Sequence, residues 1–125
     1  MAVFDRPAQS VDAIAGISHR TLAGEAEGLS HLSIWQQTMA PGAATPPHRH
    51  RCEEVVLVTG GEGEVHVGGT VQRFSVGQIL VLPPDVDHQI FNTGRGPLDI
   101  TAVFAATPVP VDLPDGTPLA LPWRS

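Results

Sequence analysis

Along most of the chain, apolar side chains recur at every second position, in short runs cut off by glycine or proline. Val55-Val56-Leu57-Val58 leads into Gly60-Gly61-Glu62-Gly63, then Glu64-Val65-His66-Val67, Gly68-Gly69 and Thr70-Val71-Gln72-Arg73-Phe74. A period of two predicts strands with one buried and one wet face, and Gly68-Gly69 predicts the positive φ values of a tight hairpin turn. Residues 78–82 form a further apolar run stopped by Pro83-Pro84. Another run, 98–106, is stopped by Pro108 and Pro110, and an earlier one, 32–39, ends at Pro41-Gly42. Because proline cannot continue a central strand, these stops mark strand ends. With 13 glycines and 12 prolines in 125 residues, most segments are too short for a helix. The pattern predicts an all-β fold, closed or sandwich-like so that few strand edges stay exposed.

The length suits one domain with one core. Residues 1–30 are weakly patterned and are expected to form an N-terminal extension packing on the barrel. The barrel is expected over 31–107, and 108–125, rich in proline, as an extended C-terminal tail. Thirteen acidic residues against seven basic ones give a net charge of −6, which argues against nucleic acid as a partner. The single cysteine, Cys52, allows no internal disulfide. No apolar run is long enough to span a membrane, and no signal-peptide pattern opens the chain, so the reading is a soluble, cytoplasmic protein with a small-molecule partner.

The chemistry concentrates in Pro46-Pro47-His48-Arg49-His50-Arg51-Cys52-Glu53-Glu54. On extended backbone, residues two apart point the same way, so His48, His50 and Glu54 share a face. Pro83-Pro84-Asp85-Val86-Asp87-His88 offers a further histidine just after a turn. Three imidazoles and a carboxylate suit one divalent ion among Mn, Fe, Co, Ni, Cu and Zn. Glu53, the rival carboxylate, has the opposite parity. Cys52 has the parity of the ligands but reads as a buried thiol. Arg49 and Arg51 point away, His66 reads as solvated, and His19 and His31 read as ordinary surface groups. Trp35 and Gln37 share a strand face, which would place an aromatic wall and an amide in one cavity.

Two spacings make this constellation specific. Gly42, five residues, His48-Arg49-His50, three residues, Glu54 and then six residues to Gly61 resemble the first motif of the cupin family. Gly77, five residues, Pro83, then His88, three residues and Asn92 resemble the second, with Asp85 where glycine is usual. The resemblance implies a double-stranded β-helix with His48, His50, Glu54 and His88 as metal ligands. Ile34-Trp35-Gln36-Gln37-Thr38, Pro41-Gly42, Thr45-Pro46, Cys52-Glu53-Glu54-Val55 and His88-Gln89 are further similar to the auxin-binding branch of that family in plants. That likeness implies zinc, a small aromatic carboxylate as ligand, and pocket-lining roles for Trp35, Gln37, Thr45, Pro46 and Trp123. Two functions follow as expectations: a binding module for a small aromatic or apolar carboxylic acid, or a metal-dependent enzyme such as a dioxygenase, isomerase or lyase. Cupins commonly pair, so a homodimer is expected.

Overall fold

A computed structural model describes residues 2–9 and 14–125; Met1 and residues 10–13 of the expected extension lie outside the described residues. Among the described residues, eight strands follow in order: β1 (Ile17–Ala23), β2 (Ser33–Met39), β3 (Glu54–Gly60), β4 (Glu62–Val67), β5 (Thr70–Ser75), β6 (Ile79–Leu82), β7 (His88–Asn92) and β8 (Leu98–Phe104). They build two antiparallel sheets, ordered β1-β2-β8-β3-β6 and β5-β4-β7. From β3 onward the chain crosses between sheets, and each crossing comes at a glycine or proline. The result is a double-stranded β-helix.

Alternation decides what faces the interior. In β8, Leu98, Ile100, Ala102 and Phe104 are buried, and in β2 the buried set is Ser33, Trp35, Gln37 and Met39. Val56 and Val58 of β3 join them, with Val65, Phe74 and Ile90 from the smaller sheet. Burying each large apolar side chain contributes about 1.5–3 kcal/mol, so this set dominates the stability of the domain. The hairpin turn behaves as predicted, with Gly68 and Gly69 at φ 53° and 87°. Asp85, at φ 62°, takes the left-handed conformation in the turn that precedes β7.

The stretch read from sequence as an extension contributes β1, which pairs with β2 along Ile17↔Met39, His19↔Gln37 and Thr21↔Trp35. The C-terminal segment is irregular, returns to the barrel and buries Val109 and Val111 in the core. Main-chain bonds in both directions between Arg49 and Asp112, each 2.9 Å, fasten it beside the histidine segment.

Gly63 in β4 sits where a β-carbon would fall against the carbonyl oxygen of Phe91 and 2.7 Å from Phe74 Cζ. Gly63→Ala is therefore expected to destabilise the fold by about 3 kcal/mol, because the obstructing atom is backbone and cannot swing aside. Urea unfolding with a midpoint equal to that of the wild type would contradict this packing.

Candidate metal centre

His48 lies on the short extended segment before β3 and forms an isolated bridge with His88, the first residue of β7. Main-chain bonds run both ways between them, at 2.7 and 3.1 Å. The turn through Asp85 is tied down as well, since Asp85 N–H donates to the carbonyl of His50 at 2.7 Å. Glu54 opens β3, opposite Phe104 on one side and Leu82 on the other. These constraints bring one ring nitrogen from each of His48, His50 and His88 within 4.8 Å of the others. Glu54 Oε1 sits 3.3 Å from Nε2 of both His50 and His88.

The tautomers follow from the outer partners. His48 Nδ1 lies 2.6 Å from the Pro46 carbonyl, His50 Nδ1 2.8 Å from that of Pro110, and His88 Nδ1 3.2 Å from that of Val86. A carbonyl only accepts, so each Nδ1 carries the hydrogen and donates it, leaving a lone pair on Nε2. The Nε2 atoms of His50 and His88 and Oε1 of Glu54 are buried without hydrogen-bond partners. With the rings neutral, Nε2 lone pairs thus converge with the carboxylate, an arrangement that fits a cation. Backbone carbonyls that hold Nδ1–H are also the outer partners typical of metal-binding histidines.

Burial lowers the pKa of His48 to about 4, helped by the neighbouring His88 and His50 and opposed by the Pro46 carbonyl and Glu54. For Glu54, burial pushes the carboxyl up, but where no ion is bound, hydrogen bonds and positive charge from His50 and His88 outweigh this and bring it down to about 2. A neutral imidazole at His48 and an ionised carboxylate at Glu54 are ligand forms a metal needs. Cys52 remains outside the cluster, half-buried, with its thiol pushed up by burial and by Glu54. Arg49 and Arg51 point outward to Asp87 and Asp112, each at 3.1 Å, and Glu53 is exposed.

Beside the histidines lies a cavity of about 50 Å³ walled by Trp35, Gln37, Pro46, Phe104, Leu121 and Trp123, among others. Trp35 packs against Phe104 with ring centroids 4.4 Å apart, and Trp123 meets Trp35 edge-on at 5.4 Å. Both indole N–H groups are buried and unpaired. Thr45 is placed differently. Its hydroxyl accepts from Ile90 N–H at 3.0 Å, and it borders an open groove next to the cavity, which Pro46 and Leu119 also line.

One residue packed behind this wall was misjudged from sequence. His19 is no surface group: it is 2% exposed and stacks on Trp123 with centroids 4.0 Å apart and planes 13° off parallel. Its Nδ1 faces Gln37 Nε2 at 3.1 Å and its Nε2 faces Thr21 Oγ1 at 2.8 Å. Burial, with the charge of Arg124 nearby, lowers its pKa to about 4. His31, by contrast, is exposed as expected.

The cupin domain family matches residues 35–104, which run from within β2 to the end of β8 and hold all four clustered residues. The chain is a cupin. Among curated relatives, the cupin is 34% identical over 106 residues to auxin-binding protein 1 of Arabidopsis thaliana, covering 77% of this chain and 54% of that protein. It is 34% identical over 113 residues to auxin-binding protein T85 of Nicotiana tabacum, covering 81% and 60% respectively. The chain therefore spans little more than half the length of these relatives. Among solved structures, an RmlC-like cupin from Shewanella frigidimarina superposes with a TM-score of 0.70 at 23% identity, covering 81% of this chain and 85% of that one. The polyketide cyclase RemF from Streptomyces resistomycificus gives 0.73 at 19% identity, covering 87% and 83%. These two likenesses concern the fold alone. Among the described residues, no helix is long and apolar enough to cross a membrane.

Proposed function

We propose that this cupin binds a small aromatic or apolar carboxylic acid at a divalent metal held by His48, His50, Glu54 and His88. The observation that carries the reading is the convergence of buried, unpaired lone pairs of His50, His88 and Glu54 beside a tryptophan-walled cavity. The metal would supply the positive charge that a carboxylate pairs with, and zinc is the ion proposed for that place, as the resemblance read from the sequence implies. Trp35, Pro46 and Trp123 offer apolar surface, Gln37 offers an amide for direction, and Thr45 lines the approach.

A volume of about 50 Å³ admits one or two waters, each taking about 30 Å³. An aromatic ring therefore enters only if wall side chains such as Leu121 move aside, and tryptophan emission is expected to change as such a ligand binds beside Trp35 and Trp123. Trp35→Ala is expected to weaken phenylacetate binding by roughly ten-fold, through lost ring contact, with metal content unchanged. Equal affinity in calorimetry would sink the assignment of Trp35 to the ligand wall.

The alternative, a metal-dependent enzyme acting on a small organic acid, needs a proton donor or acceptor in the cavity apart from the metal ligands. Among the described residues lining it, Gln37 is the only polar side chain besides the clustered histidines, Glu54 and the two indoles. This favours binding over turnover. A second copy of the chain is proposed as the partner of the outer face of β3 and β6, where Leu57 pairs with Ile79 and Val81 is 72% exposed. Sedimentation is expected to show a dimer that Val81→Asp dissociates; a monomeric wild type would contradict this.

A further inference from the structure

Three hydrogen bonds connect the wall of the cavity to the end of the chain. Gln37 Nε2 meets His19 Nδ1 at 3.1 Å, His19 Nε2 meets Thr21 Oγ1 at 2.8 Å, and the Thr21 hydroxyl donates to the main-chain carbonyl of Arg124. Direction along this series is fixed from the tail end. The carbonyl of Arg124 can only accept, so Thr21 spends its single hydrogen there. Thr21 Oγ1 then accepts from His19, which places the ring hydrogen on Nε2 and leaves a lone pair on Nδ1. Gln37 must in turn present its NH2 group to that lone pair, because its carbonyl oxygen would meet acceptor with acceptor. The neutral ring that this requires agrees with the lowered pKa of His19.

The tail is seated firmly enough to impose this order. Arg124 clasps Glu27 through two bonds of 2.6 and 3.1 Å, and Trp123 stacks on the His19 ring. The strand register itself places the groups, since His19 lies directly opposite Gln37 across β1 and β2. An isolated glutamine on a cavity wall can flip, offering a ligand either end of its amide. Gln37 cannot flip without breaking the series.

We propose that His19 is a positioning residue for ligand recognition: it holds Gln37 in one amide orientation on the cavity wall, and the seated tail enforces that orientation through Arg124 and Thr21. The ligand then meets a fixed pattern of donor and acceptor rather than an adaptable one, and docking of the tail and ordering of the recognition amide become one event. The role in recognition rests on reading the cavity as a carboxylate site; the hydrogen-bond order does not.

Two measurements on the metal-loaded full chain separate those parts. Nitrogen-15 NMR of labelled histidines is expected to find His19 protonated on Nε2 and bare on Nδ1, the reverse of His48, His50 and His88. A hydrogen on His19 Nδ1 would overturn the proposal. Calorimetry with phenylacetate then tests recognition. His19→Phe keeps a ring to stack on Trp123 but removes both hydrogen bonds, and it is expected to weaken the probe about ten-fold with metal content intact. Gln37→Leu is expected to cost a similar factor, and the double variant no more than either alone, because the same oriented amide is lost once. Multiplied losses of about a hundred-fold in the double variant would overturn the proposal. Should His19→Phe fail to fold, Thr21→Val, which is nearly the same shape, is expected to let the His19 tautomers mix; an unchanged single tautomer would count against control by the tail. A metal-loaded wild type that binds no phenylacetate would overturn the carboxylate reading, and the tautomer result would still decide the hydrogen-bond order.

Discussion

His88→Ala is expected to cut metal affinity by roughly a hundred-fold or more, while His66→Ala leaves it unchanged. His88 anchors the cluster from the opposite sheet: it bridges His48 through the main chain and brings Nε2 to 3.3 Å from Glu54 Oε1. Without it, the remaining donors come from a single segment, 48–54, and one side of the ion is open to water. His66 is the right control because it is also a β-strand imidazole, but it sits half-exposed against Phe91 and Glu64 on the outer face of the smaller sheet. Competition against a chelator measures both variants. Wild-type affinity in His88→Ala, with the fold intact, would show that the ion is not held between the two sheets. Because a bound ion stabilises only the folded chain, chelation is also expected to lower the melting temperature of the wild type, with about 4 kcal/mol at stake when metal exceeds its dissociation constant a thousand-fold.

Metal-free protein is expected to lose stability steeply as the pH falls from about 6.5 to about 4. His48 and His19 each have a folded pKa of about 4 against 6.5 for the unfolded chain. Between those values the unfolded chain holds more protons than the folded one, so acid favours unfolding and stability rises with pH across the window. Burial is the leading cause for both rings, and each contributes on the order of 3 kcal/mol over the full window. Glu54, with a carboxyl lowered to about 2 from 4.5, continues the same trend at lower pH. His19→Phe is expected to flatten part of the slope. Urea midpoints recorded with a chelator at pH 7, 6, 5 and 4 check this, and a midpoint constant from 7 to 4 would mean that neither imidazole is buried neutral.

How much of this was readable in advance depended on where the chain signals its intentions with side chains. The clustering of His48, His50 and Glu54 was legible because extended backbone preserves parity, even though His48 and Arg49 form isolated bridges rather than a regular ladder. His88 was legible only through its distance from a proline turn. Strand β1 was not, because its inward positions are Ile17, His19 and Thr21, and two polar residues of three erase the apolar alternation. They are tolerated inside because each finds a partner, Gln37 for His19 and the Arg124 carbonyl for Thr21, and those partners lie 18 and 103 residues away. Most obscure was the role of the tail. The carbonyl of Pro110 that orients His50 belongs to the backbone, and no side chain announces which carbonyl a fold will use.

Titrating phenylacetate and indole-3-acetate into metal-loaded and metal-stripped protein tests the central claim most directly. Binding that is saturable with the ion present and lost on its removal is the predicted result. Equal binding in both samples, or none in a fully loaded one, would contradict a carboxylate pocket anchored by His48, His50, Glu54 and His88.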